Sequence, residues 1–122
     1  MPALALIPLL DAKTYLRVDS SDEDALIGIL LSSAEQLCVD VARLSAGQWK
    51  VIDSIAFDSE GNVLPVENEL YTEEELECVR NVMRVAILYA MGYLFEHREE
   101  ADHHALTLTL RSLLFSIREG VV

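Results

Sequence analysis

The chain has 122 residues, the length of one domain, which buries about two thirds of the surface its unfolded form exposes. Twenty-one acidic residues against nine Lys and Arg leave a formal charge of -12, which excludes a basic DNA-reading face and argues against attachment to anionic membranes. Because 52% of residues are apolar and only 7% aromatic, an aliphatic surplus must coexist with the acidic surface, and such a surplus points to subunit contacts.

Residues 1–9 read as an apolar arm. It has two prolines and no basic n-region, a poor fit to a signal peptide. No run reaches the about 18 apolar residues of a membrane span, so a soluble, intracellular product is expected. Asp11 to Val18 carries Ala12, Tyr15, Leu16 and Val18 at spacings that fit a two-turn helix. The polar stretch Asp19, Ser20 and Ser21 ends it and starts the next helix, with a Ser cap and Asp22, Glu23 and Asp24 in the first turn, where the helix dipole favours anions. From there Leu26, Ile27, Leu30, Leu31, Ala34, Leu37, Cys38 and Val41 recur at steps of three and four, one buried helical face. This helix is expected to run to about Leu44, with Gly47 beyond its end.

Residues 48–71 change character. Trp49, Val51, Ile52, Ile55 and Phe57 favour strand, the turn residues Asp58, Ser59, Glu60, Gly61 and Asn62 follow, and Val63, Leu64, Val66 and Leu70 resume the pattern, so a hairpin or structured loop is expected. Pro65 restricts its second arm to an edge. Thr72 followed by Glu73, Glu74 and Glu75 is a capping-box start. Leu76, Val79, Met83, Ala86, Ile87, Ala90 and Leu94 then define the strongest helical face in the chain, extending to about Glu99. After the charged break HREEADHH, Leu106, Leu110, Leu113, Leu114 and Ile117 share one face of a last helix that Gly120 ends. Cys38 and Cys78 lie in apolar-periodic stretches without short spacing, so both are expected to be buried thiols in a reducing compartment.

Chemistry-bearing residue types weigh against simpler roles. Glu96, His97, Glu99, Glu100, Asp102, His103 and His104 offer nitrogen and carboxylate ligands, but the HExxH spacing of a helical zinc site is absent and a charged helix boundary explains them. Glu74/Glu77 and Glu96/Glu99 are ExxE pairs of the kind that hold Mg²⁺. On a single helix the two pairs stand about 33 Å apart, and one Mg²⁺ gathers its ligands at about 2.1 Å. Asp22 to Asp24 lack the glycine and terminal glutamate of an EF-hand loop, and Glu60, Gly61 and Asn62 lack the glycines and lysine of a phosphate loop. No GxSxG nucleophile elbow occurs. Arg98, Arg111 and Arg118 suit either local pairing on helix surfaces or bridges to an acidic face such as Asp22 to Asp24 on another subunit.

Several segments together resemble one family. LLDAKTYLRVDSSDEDALI is similar to the N-terminal pattern of phage head-tail connector proteins, a short "eaK-x-x-LR-v-d" helix followed by an acidic "D-x-D-A-L-I" helix start. AILYAMGYLFEHREE resembles that family's third-helix ending, an aliphatic run, an aromatic and "E-N-R-E", with His97 in place of Asn between Glu96 and Arg98–Glu99. LRSLLFSIRE is similar to its closing "L-L-x-x-x-R", which falls on Arg118. The arm before Leu9 and the segment from Gln48 to Tyr71 carry no such likeness.

The resemblance implies a structural virion protein of a tailed phage or prophage, located at the head-tail junction. It would form a ring of about twelve subunits below the portal, extending the DNA channel and docking the next connector or tail-completion protein. A monomer in free solution is compatible with such a ring, because assembly can use the portal as template. DNA would pass without sequence recognition, which suits an acidic chain, and no membrane, cofactor, metal or catalytic residue comes with the family. Asp22, Asp24, Glu96, Arg98, Glu99 and Arg118 are the family-motif or subunit-interface candidates. The expected fold is all-α, a single domain over residues 1–122 forming a small bundle of about four helices, two of them long, with a β-hairpin-like or irregular insertion between the long ones. The competing readings are a small helical Mg²⁺-dependent nucleotide phosphohydrolase and a dimeric helical adaptor module.

Overall fold

The computed structural model describes residues 5–97 and 104–117. Over these the chain is all-α, with helices α1 (Leu9–Leu16), α2 (Asp24–Ala42), α3 (Ala46–Asp53), α4 (Glu73–Glu96) and α5 (His104–Leu113), then a single 3-10 turn at Phe115–Ile117. Five helices replace the expected four.

The extra one is α3, which begins inside the segment whose β-favouring residues suggested a hairpin. Local hydrogen bonding overrides their propensity. Ser45 and Gln48 form a reciprocal capping box, the Gln48 amide donating to Ser45 Oγ at 3.1 Å and the Ser45 amide to Gln48 Oε1 at 2.8 Å. Two otherwise unpaired donors of the first turn are thereby satisfied. Trp49, Val51 and Ile52 then fall on a helix, with Ile52 fully buried. What remains of the hairpin is a single antiparallel bridge between Phe57 and Val63 around a turn with Gly61 at φ 87°. The Asp58 carboxylate accepts the Glu60 and Asn62 amides at 2.8 and 2.9 Å. These bonds, the one from Asn62 foremost, hold that carboxyl below its usual value.

Two other boundaries differ from expectation for related reasons. Ser20 and Ser21 do not cap α2. Ser20 Oγ accepts the Asp22 amide at 3.0 Å in a local turn, and of the acidic trio only Asp24 lies in the helix's first turn. At the other end α2 stops at Ala42, before the expected Leu44, and Gly47 lies inside α3. The stop is a Schellman motif built on an arginine: Arg43 takes the left-handed conformation (φ 58°), its amide bonding to Asp40 O at 3.1 Å and the Leu44 amide to Val39 O at 3.1 Å. Arg17 (φ 60°) ends α1 in the same way. A left-handed non-glycine residue costs about 1–2 kcal/mol, partly offset by placing a cation at a helix C-terminus.

α2 packs along α4, α1 and α5 each touch both of them, and α3 packs on α4. Small residues, Ala34, Cys38 and Ala42 from α2 with Ala86 and Ala90 from α4, are fully buried and let the two long helices approach closely, while Ile27, Met83, Ile87 and Met91 fill the space around them. The α4 start follows the expected capping box, the Glu75 amide donating to Thr72 Oγ1 at 3.2 Å and the Thr72 amide to Glu75 Oε1 at 2.9 Å. α2 and α4 are also long and apolar enough, by length and composition, to cross a membrane. Polar and charged residues interrupt both, and here their buried faces form the centre of the core. The arm is not a free tail: Leu6 and Ile7 are buried, and the Leu6 amide donates to Asp53 Oδ1 at 2.9 Å.

That last bond sits in an acidic corner. Glu35 on α2 is half-buried near Asp53, and its pKa is pushed up from 4.5 to about 7, by desolvation first and by the Asp53 charge second. Below its unfolded value both states hold the proton. As pH rises towards 7 the unfolded chain ionises while the folded one resists, so folding stability declines over that window. With water reaching half the group, screening reduces the effect to about 1–2 kcal/mol. Glu35→Gln is therefore expected to match the parent near pH 4 and to exceed it in urea-unfolding stability by that amount at pH 8; equal curves at both pH values would contradict the account.

Candidate interaction surface

Where the first and fourth helices meet, α1 and α4 bring their C-terminal ends side by side. Tyr15, Leu16 and Arg17 face Tyr89, Gly92, Tyr93, Phe95, Glu96 and His97 across an open depression. Gly92 eases the approach: a Cβ there would lie 3.2 Å from Tyr15 Cε2, and the ring would have to give by a few tenths of an ångström. His97 closes α4: its amide donates to Tyr93 O at 2.9 Å, its ring stacks on Tyr93 with centroids 4.0 Å apart, and Nδ1 also lies 2.9 Å from that carbonyl. Four of the chain's eight aromatic residues line this one depression. Low aromatic content overall makes the concentration informative, since aromatic residues are enriched at association surfaces.

Of the candidate residues, Glu96 lies on this depression and Asp24 close to α1, where its Oδ1 pairs with Lys13 Nζ at 2.7 Å. Lys13 is largely shielded from water, so the pair fixes α1 to the start of α2. Asp24 is thus engaged with Lys13 within its own chain. Asp22 is exposed. Arg98, Glu99 and Arg118 lie outside the described residues, as do most members of the HREEADHH cluster. Among the described residues no group of three or more His, Cys, Asp or Glu is placed to hold a metal ion. Glu74, Glu77 and Glu96 all stand on the one continuous helix α4, so the separation of about 33 Å between Glu74 and Glu96 holds and they cannot share an Mg²⁺.

A second apolar stripe runs along the outer side of α4. Cys78, Val82, Val85 and Tyr89 recur at steps of four, three and four, with Val82 partly buried against the core and Val85 60% and Tyr89 41% exposed. Cys78 is exposed, contrary to the expectation that both thiols are buried. Cys38 is the buried one, its thiol pushed up to about 12 by burial and then by Glu35, which leaves it unreactive. The sequence did carry the signal for this stripe, since positions 78, 82, 85 and 89 alternate with the buried set. The face that the periodicity marks as strongest, Leu76, Val79, Met83, Ala86, Ile87 and Ala90, is the buried one, and this weaker stripe lies outside it.

A third feature is a cleft of about 380 Å³ between the loop residues Val63 to Val66 and the first half of α4, with Arg80 and Arg84 in its wall. Arg80 is buried and donates through Nε to Ile52 O at 3.0 Å and through Nη2 to Val51 O at 3.2 Å and to Ser54 O. It serves as the C-terminal cap of α3, and nothing in sequence spacing marks it for that task. Burial, then the neighbouring Arg84, lowers its pKa.

A scan of family models finds no match to the chain, and neither curated proteins nor solved structures show a significant similarity to it.

Proposed function

We propose that this chain is a subunit of a head-tail connector ring of a tailed phage or prophage, seated below the portal, extending the DNA channel and docking the next connector or tail-completion protein. One observation carries the reading: two of the stretches that resemble the family meet at one corner of the fold. Lys13 and Asp24, at the two ends of the first stretch, pair with each other. Leu16 and Arg17 of the first line the same depression as Phe95, Glu96 and His97 of the second. Ordinary solvated helix ends, distributed without a shared role, have no reason to converge in this way. The exposed apolar stripe of α4 supports the same reading, because a subunit destined for assembly carries apolar area that its own core does not cover.

The ring has about twelve copies, following the portal, in a cyclic heterologous arrangement. The test is incubation of the purified chain with DNA-filled, portal-bearing capsids that lack connectors, followed by sedimentation and electron microscopy. Ring density below the portal is the expected result. A chain that stays monomeric at high concentration and fails to bind such capsids contradicts the proposal.

A further inference from the structure

The cleft between residues 63–66 and the first half of α4 has no part in the connector reading, yet it combines three features that suit one kind of occupant. Ile55, Leu64, Val66 and Leu76 give it an apolar lining, and Arg80 and Arg84, one turn apart on α4, line it as well. Arg80 is more than nine-tenths buried and directs Nε and Nη2 to the α3 carbonyls, while its Nη1 makes no hydrogen bond among the described residues. Arg84 bonds to Asn81, Nη1 to Oδ1 at 3.2 Å. Neither arginine has a carboxylate partner among the described residues, in a chain where acids outnumber Lys and Arg by 21 to 9.

Glu73 and Glu77 line the cleft too, but towards the start of α4. Seven residues, about 10.5 Å along the axis, separate Glu77 from Arg84. Charge is therefore sorted along the cleft: an occupant acidic or basic throughout is repelled at one end, and one with a single carboxylate at the Arg84 end is matched.

The backbone supplies the third feature. The Asp58 amide donates to Asn62 O at 2.9 Å and the Leu64 amide to Ala56 O at 2.8 Å. These bonds flank the Phe57–Val63 bridge, which makes it the non-hydrogen-bonded kind of antiparallel pair. The amide and carbonyl of Val63 consequently point to the open edge of the arm, where no described residue pairs with them, and Val63 is 54% exposed.

We propose that the cleft binds an extended segment of a partner protein, whose backbone pairs with Val63, with an apolar side chain against Ile55, Leu64, Val66 and Leu76 and a carboxylate two positions away on Arg84. Alternate side chains of a strand share one face, so both reach the cleft while the backbone follows the edge. Main-chain bonds then hold the segment and the two subsites select it, the guanidinium fork of Arg84 taking the carboxylate through both oxygens. The site goes beyond the connector reading and does not depend on ring formation.

The test titrates the ¹⁵N-labelled full chain with millimolar acetyl-Leu-Thr-Glu-Thr-Leu-amide, which offers the apolar-to-acid spacing in both chain directions. Amide shifts are expected at Val63, Leu64, Val66 and Arg84. Replacing Glu by Gln in the peptide should weaken binding about tenfold. Arg84→Ala, checked for folding by far-UV circular dichroism, should weaken the Glu peptide by the same factor and leave the Gln peptide unchanged. Of two N-methylated peptides, one modified at the Leu and Glu amides and one at the Thr amides, only one should lose binding, because a strand pairs here along one edge. No shifts at residues 63–66, or equal binding of the Glu and Gln peptides, would overturn the proposal. Hexanoate binding as tightly as the peptide would also overturn it, by making the ligand a small organic acid. The same amides shifting when the protein is concentrated without peptide would give the cleft to a second copy of the chain, again overturning it.

Discussion

Arg80→Met is expected to lower the unfolding free energy by about 2–4 kcal/mol and the melting temperature by about 10 °C. Arg80 has no acidic partner among the described residues. Its donors go to the carbonyls of Val51, Ile52 and Ser54, where the C-terminal end of the α3 dipole supplies the negative charge. Methionine retains much of the aliphatic stem but leaves three partly or fully buried acceptors without a donor. Removing a desolvated charge returns some free energy, which is why the expected loss is smaller than the sum of three charge-assisted bonds. Arg80→Lys should recover only part of it, because an ammonium lacks the planar fork that reaches separate carbonyls at once. Hydrogen exchange gives the local readout: amides of α3 should lose protection in both variants before those of α2. Stability within about 0.5 kcal/mol of the parent would show that the cap is not what holds α3 in place.

The second large effect is expected at Leu110. With ten residues, α5 is too short to persist by propensity alone, and its attachment comes from Leu106, Leu110 and Leu114, each fully buried. Leu110→Ala should cost about 2–5 kcal/mol, from lost transfer free energy and the cavity left behind. Leu108→Ala, two positions away on the outward face, should cost less than about 0.5 kcal/mol. The contrast is the measurement, made by urea unfolding of both variants. Equal losses would mean that α5 is rotated from the orientation described.

The two helices with one apolar and one mixed face, α2 and α4, were legible because steps of three and four residues accumulate over many turns and no strand shares that period. The α4 start was legible for a different reason, since Thr72 and Glu75 satisfy each other's backbone donors without help from the rest of the fold. The same chemistry at Ser45 and Gln48 was equally available, and the β-branched and aromatic residues that follow it drew the reading towards a hairpin. Propensity in a segment of that length is a weak term beside a reciprocal cap and the burial of Ile52. Arg17 and Arg43 show the converse, helix ends set by backbone geometry at residues whose identity does not announce it.

The surfaces divide along the same line. Composition alone established that this acidic chain has more aliphatic side chains than a core of its size absorbs, because charge and apolar content add up without regard to position. Period alone established that it is helical. That the thiol of Cys78 lies in water while that of Cys38 does not, that Lys13 pairs with Asp24, and that Arg17 and Glu96 line one depression were decided only by the packing of α1 and α2 on α4. Those outcomes depend on contacts between residues far apart in the chain, and such contacts form through the summed fit of many side chains, which no local pattern encodes.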